Sequence, residues 1–168
     1  MHGNRDFLLG EAFAERVGAT LHRKDEVVVN FGADGAPDDC CLLLHGDTLC
    51  TGDVEYQRLR ETVRDPAWQR DFLARSPRER VEAATALRQR SQAAVAGKRG
   101  GIMDVAPEAV GDAFARHDVR TMIHGHTHRP HDHRAASGVR RLVVGDWHAD
   151  HARYARRDGG RLTLQTWR

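Results

Sequence analysis

The sequence predicts a mixed α/β layered domain carrying an inserted helical segment. Two apolar runs, "CCLLLHGDT" (40–48) and "RTMIHGHTHRP" (120–130), break abruptly into polar, histidine-bearing residues. That is the pattern of strands buried on both faces whose C-terminal ends open onto a site. Between them, from Val54 to about Ala96, apolar residues recur at helix-like intervals over a stretch longer than a simple crossover requires. A length of 168 residues suits one domain, 1–168, with a substantial core.

The elements follow in order. "FLLGEAFAERV" (7–17) reads as a short amphipathic helix ending near Gly18. "EVVVNFG" is β-branched and strand-like, and "GADGAPDD" is a turn by its Gly, Pro and Asp content. "CCLLL" is the first buried strand. The stretch from Val54 to Ala96 carries Leu59, Val63, Phe72, Leu73, Val81 and Leu87 at helical spacing, is interrupted at Pro66 and Pro77, and reads as a cap of two or three helices over about 52–100. "GKRGG" closes it as a mobile loop. "PEAVGDAFARHDV" is a helix with Pro107 near its start, and "RTMIH" is the second buried strand. "GVRRLVVGDWHADHARYARRDGGRLTLQTWR" (138–168) reads as strands joined by tight turns, with Asp158-Gly159-Gly160 a hairpin signal.

Composition narrows the function classes. The chain is 40% hydrophobic and 30% charged, with a mean hydropathy of −0.62. No run approaches the about 18 apolar residues of a membrane span, and the first ten residues lack a basic segment followed by an apolar one, so a cytoplasmic protein is expected. Cys40, Cys41 and Cys50 give no disulfide framework and read as reduced core residues. A net charge of +2 argues against general nucleic-acid binding. The arginines nevertheless crowd residues 75–101 and the C-terminal third, leaving open a local basic face toward phosphate or an anionic membrane.

Eleven histidines are the compositional outlier. "HGNRD" (2–6), "HGDT" (45–48) and "HGHTHRP" (124–130) each set a polar or His-rich loop beside a glycine, whose missing Cβ permits a sharp turn and close approach to an ion or phosphate. Imidazole nitrogens and a carboxamide oxygen suit borderline divalent cations such as Mn²⁺, Fe²⁺ or Zn²⁺. His126 and His128 flank Thr127, so an extended loop can aim both rings to one side. His131, His133, His148 and His151 lie in less apolar surroundings and read as exposed histidines.

"GNRD", "HGDTLC" and "IHGHTHRP", in that order, resemble the calcineurin-like metallophosphoesterases. With "HGNRDFLLG", "LLHGDTLCTGD" and "IMDV" added, the chain resembles along essentially its whole length the UDP-2,3-diacylglucosamine hydrolase family of lipid A synthesis. The resemblance implies a layered αββα metallophosphoesterase fold and two metal ions, typically Mn²⁺, at strand ends. It implies Asn4, His45 and His126 as ligands of one ion and His128 as a ligand of the other, with His124 behind them. It further implies Arg5 as a substrate-phosphate contact, Asp53 and Tyr56 at the cap entrance, and Ser91 and Lys98 as cap residues holding substrate, with Asn4 and His126 also close to it. A cap position that is usually Asn is Val95 here. The implied reaction is hydrolysis of the pyrophosphate bond of UDP-2,3-diacylglucosamine to UMP and 2,3-diacylglucosamine 1-phosphate (lipid X), at the cytoplasmic face of the inner membrane, by a peripheral enzyme that binds no nucleic acid.

The family's opening Asp-x-His and following Gly-Asp motifs have no counterpart in these residues, so the chain resembles a member lacking its first strands. The lost residues include the carboxylate that bridges both ions. The four ligand matches that remain are neutral, so two cations held closely would repel with little compensation. Little or no diphosphatase activity is expected of the chain alone, with at most one ion well held. Loss of the first strands is also expected to expose an apolar sheet edge. Two alternatives stand beside this: a metallophosphoesterase for another nucleotide or a phosphoprotein, and a catalytically silent lipid- or partner-binding protein.

Overall fold

The computed structural model describes residues 1–32, 39–96 and 104–168, without the side chains of 94–96. Most of the turn expected over 32–39, the loop expected after Ala96, Lys98 and the start of "IMDV" lie outside the described residues. The chain divides into two compact units, one formed by Met1–Cys50 with Val105–Arg168 and the other by Thr51–Asp104.

The first unit is built on a five-stranded mixed sheet. Its strands are β1 (Glu26–Asn30), β2 (Cys40–Leu44), β3 (Thr121–His124), β4 (His131–Arg134) and β5 (Arg140–Val143), in the order β1-β2-β3-β5-β4. β2, β3 and β5 run parallel, whereas β1 and β4 flank them antiparallel. The parallel strands are the apolar ones. Leu42, Met122 and Leu142 are fully buried, as central strands covered on both faces require. The core is completed by α5 (Pro107–His117), whose Ala113 and Phe114 pack with Leu42, Leu44, Leu49, Val119 and Met122. The far end of α5 is tied to β1, where Arg116 and His117 both hold the Glu26 carboxylate. Partial burial pushes that carboxyl up, but the two cationic partners outweigh it and keep it below the usual range. A separate hairpin, β6 (Ala152–Asp158) with β7 (Arg161–Trp167), turns at Gly159-Gly160, both at positive φ (50° and 81°). Two successive left-handed residues make the tight turn that matches strand twist, as the sequence signal anticipates.

Two elements differ from expectation. The first helix, α1, spans only Glu11–Arg16. Before it, the chain turns at Asp6–Leu9, with Leu9 N–H donating to Asp6 C=O and the His2 ring engaging Leu9 C=O. The helix stops where expected, because Gly18 takes φ 67° and lets Ala19 N–H close back on Ala14 C=O. β4 was not expected. "HDHR" has no apolar alternation, and the strand is pinned by charge instead: Asp132 accepts from Arg140 on the same face of β5 at 2.9 and 3.0 Å.

The second unit holds α2 (Val54–Arg64), α3 (Pro66–Ala74) and α4 (Pro77–Ala96). Pro66 and Pro77 start helices rather than interrupt them, since a first-turn proline gives up an N–H that had no partner in the helix anyway. Asp53 caps α2 through Tyr56 N–H and Asp65 caps α3 through Trp68 N–H. Ser76 and Glu79 form a reciprocal capping box at the start of α4. Among the described residues of this unit, Val63 and Phe72 are the buried apolar ones, with Trp68 stacked on Phe72 at 5.0 Å. No described helix is long and apolar enough to cross a membrane.

Candidate functional site

The register of the three parallel strands decides what meets at their C-terminal ends. Leu44 pairs with His124, and His124 with Val143, so the chain leaves all three strands at one level. Gly125 N–H then donates to His45 C=O, and Val144 N–H to His124 C=O. "HGD", "GHTH" and "GD" are thus delivered side by side at the edge where open α/β sheets bind ligands.

His45 follows β2 directly. Its Nδ1 is buried without a hydrogen bond of good geometry and stands 3.1 Å from Asp47 Oδ1. Asp47 is itself only 1% exposed and accepts from Thr48 N–H, in a 3₁₀ turn over Asp47–Leu49. The Thr48 hydroxyl is buried without a partner in the same turn. Gly3 lies against the ring: a Cβ there would fall 3.0 Å from His45 Nε2. Such a contact is tighter than ordinary packing, so glycine eases the approach of the loop, whose next residues Asn4 and Arg5 are exposed.

The "GHTH" loop supplies the second imidazole. His126 meets His45 edge-on, ring centroids 5.0 Å apart and planes at 66°. His126 and His128 both adopt left-handed backbone, φ 65° and 52°. For non-glycine residues this costs free energy that the surroundings must repay, and such residues gather at ligand sites. His128 is exposed, with Nδ1 3.3 Å from Asp146 Oδ2; the same oxygen lies 2.7 Å from His148 Nε2. Partial desolvation pushes the Asp146 carboxyl up, but its own backbone N–H, the His148 hydrogen bond and the neighbouring imidazoles prevail and lower it.

His124, 1% exposed, holds the loop from beneath. Its Nδ1–H donates to Gly125 C=O at 2.9 Å, and its Nε2 accepts from the Arg141 guanidinium at 2.9 Å. Burial is the main reason its pKa falls to about 4; the Gly125 carbonyl works against that shift, and the cationic Arg141 adds to it. Gly46, at φ 109°, is required beside it, because a Cβ would stand 2.8 Å from His124 Nδ1.

His45 and His126 are therefore brought together, with the Gly3–Arg5 loop against His45 and His128 at the rim. Among the described residues, no three His, Cys, Asp or Glu side chains form a group able to hold a metal ion. In the other unit, Asp53 is buried as the cap of α2, Tyr56 is half-buried and Ser91 is exposed on α4. The sequence shows Asp47 and Asp146 as the Gly-Asp pairs of "HGDT" and "VVGDWH", neither of which stands in for the family's missing Gly-Asp motif; their nearness to His45 and His128 emerges only with the fold.

No family model matches the chain. It is 44% identical, over 98% of its own length, to the UDP-2,3-diacylglucosamine hydrolase of Hahella chejuensis (strain KCTC 2396). It is 46% identical, over 89% of its length, to the protein of the same name from Yersinia pseudotuberculosis serotype O:1b (strain IP 31758). The chain belongs to that family. It spans 66% of the Hahella protein and 61% of the Yersinia protein, so about a third of the first and two-fifths of the second have no counterpart in it.

Proposed function

We propose that the chain forms part of a metallophosphoesterase that hydrolyses the pyrophosphate bond of UDP-2,3-diacylglucosamine, releasing UMP and 2,3-diacylglucosamine 1-phosphate. The observation that carries this reading is the meeting of His45 and the "GHTH" loop at parallel-strand ends, in a chain 44% identical to a protein named for that hydrolysis. On this reading the sheet with its covering helices belongs to a layered metallophosphoesterase fold, and residues 52–100 are its helical cap.

The donors suit a borderline divalent cation in kind, being neutral imidazoles and a carboxamide. The Thr48 hydroxyl, buried without a partner, leaves polar capacity to spare in the strand-end loop. The donors fall short in number, because the described residues bring together no group of three acidic, thiol or imidazole side chains. We assign Asn4, His45 and His126 to one Mn²⁺ and His128 to a second, with further ligands supplied from outside this chain. Such ions supply Lewis acidity and neutralise charge on the phosphoryl oxygens.

This chain's own residues bind and orient. Arg5, exposed two residues beyond Gly3, offers a planar fork to the substrate phosphates. His124 and Arg141 keep the "GHTH" loop in its strained form. Asp53, Tyr56, Ser91 and Lys98 are assigned to the substrate, Asp53 and Tyr56 at the cap entrance. α4 exposes Arg78, Arg88 and Arg90, and also Val81, which is 66% exposed; this fits peripheral contact with an anionic membrane surface.

The test is substrate competition, in the chain extended by the third of the Hahella protein that it lacks. With Mn²⁺ present, UMP release from UDP-2,3-diacylglucosamine is expected to exceed cleavage of a dinucleotide polyphosphate or a phosphopeptide by at least about 100-fold in kcat/KM, some 3 kcal/mol of differential transition-state binding. Equal or better turnover of either competitor would assign the site to another phosphoester.

A further inference from the structure

The site contains two carboxylates for which the proposed reaction has no role, and they stand in equivalent places. Asp47 lies two residues beyond His45, at the exit of β2, with Oδ1 3.1 Å from His45 Nδ1. Asp146 follows β5, with Oδ2 3.3 Å from His128 Nδ1. Each carboxylate faces Nδ1 and leaves the Nε2 edge of its ring turned elsewhere. Asp47 is almost fully buried, and burying a carboxylate is costly unless a hydrogen-bond donor or opposite charge repays it. Thr48 N–H is one such donor. His45 Nδ1 faces the carboxylate at 3.1 Å, outside hydrogen-bond geometry.

We infer that Asp47 and Asp146 are positioning residues, each fixing the Nδ1–H tautomer and ring orientation of one histidine so that its Nε2 lone pair is the one presented. The physical basis is general. A neutral imidazole in water prefers the proton on Nε2, which would block that nitrogen as a ligand; a carboxylate at Nδ1 reverses the preference and raises the basicity of Nε2. The purpose of the device rests on the metal reading above, whereas its existence does not. It also accounts for the second contact of Asp146. His148 occupies the same oxygen, so the carboxylate is anchored from one side while it faces His128 from the other. His148 needs no ligand role of its own.

Long-range ¹H–¹⁵N NMR of ¹⁵N-histidine-labelled 168-residue chain, at alkaline pH and without metal, reads each tautomer directly. His45 and His128 are expected to be mainly Nδ1–H. Asp146→Ala, at an exposed position, should return His128 to the Nε2–H majority of free imidazole and leave His45 unchanged. His148→Ala keeps the carboxylate and should leave His128 as in the wild type. Asp47→Ala should shift His45 alone; if alanine unfolds the turn, Asp47→Asn removes the charge and should still lower the Nδ1–H population. Wild-type rings already in the Nε2–H form, or tautomers indifferent to both carboxylates, would overturn the inference. Calorimetry of the extended protein with Mn²⁺ or Zn²⁺ alone separates the two readings, with Asp146→Ala expected to weaken binding by about 10–100-fold. Tautomers as expected, with no cation bound by the extended wild type, would sink the metal reading and leave the orienting carboxylates standing.

Discussion

Replacing His126 or His45 by alanine is expected to lower Mn²⁺-dependent UMP release by about 1,000-fold or more in the extended protein, with the fold intact. A cation that neutralises phosphoryl charge contributes several kcal/mol to the transition state, and each 1.36 kcal/mol lost is roughly a factor of ten in rate. The fold should survive because neither ring is part of the apolar core formed by Leu42, Leu44, Phe114 and Met122. Circular dichroism and kcat/KM together check the result. A variant that loses its fold along with its activity would show that these histidines are structural.

The second large effect is on stability and comes from His124. Its pKa falls from 6.5 to about 4 in the folded chain. Below pH 6.5 the unfolded chain therefore takes up a proton that the folded chain refuses. The sign follows: the contribution is intact above the unfolded pKa and is lost as pH falls toward 4, by about 3 kcal/mol at most. Urea unfolding from pH 7 to pH 4 measures the slope. His124→Gln is expected to be less stable at neutral pH, having lost a well-fitted pair of hydrogen bonds, but flatter across that window. Carboxylates such as Glu26 and Asp132 are held below their usual range, so their stabilising contributions are lost mostly at more acid pH. A wild type and variant with parallel profiles would show that His124 titrates normally.

The sheet's core and the site's position were legible because they rest on local pattern. "CCLLLHG" and "TMIHG" are apolar until the strand ends and polar immediately afterwards, so the sequence itself places His45 and His126 at strand exits. Pro107 locates a helix start for the same reason, since it acts within one turn of chain, whereas Pro66 and Pro77 read only as interruptions of a helical stretch and in fact open α3 and α4. β4 was illegible because an ion pair to Arg140, rather than an apolar face, holds it in register. Asp146 was illegible because its proximity to His128 depends on β3 and β5 being neighbours, a fact of topology that neither segment states. The roles of Asn4, Arg5, Asp53, Tyr56, Ser91 and Lys98 came from resemblance alone. Asp53 also has a local task, capping α2.

The most direct measurement compares UMP release from UDP-2,3-diacylglucosamine, with Mn²⁺, by the 168-residue chain and by the same chain extended with the missing third of its Hahella relative. The donors assembled here are neutral and too few, so the expected result is no turnover above background from the chain alone and robust, Mn²⁺-dependent turnover after extension. Full activity in the unextended chain, or a folded, Mn²⁺-binding extended protein that releases no UMP, would contradict it.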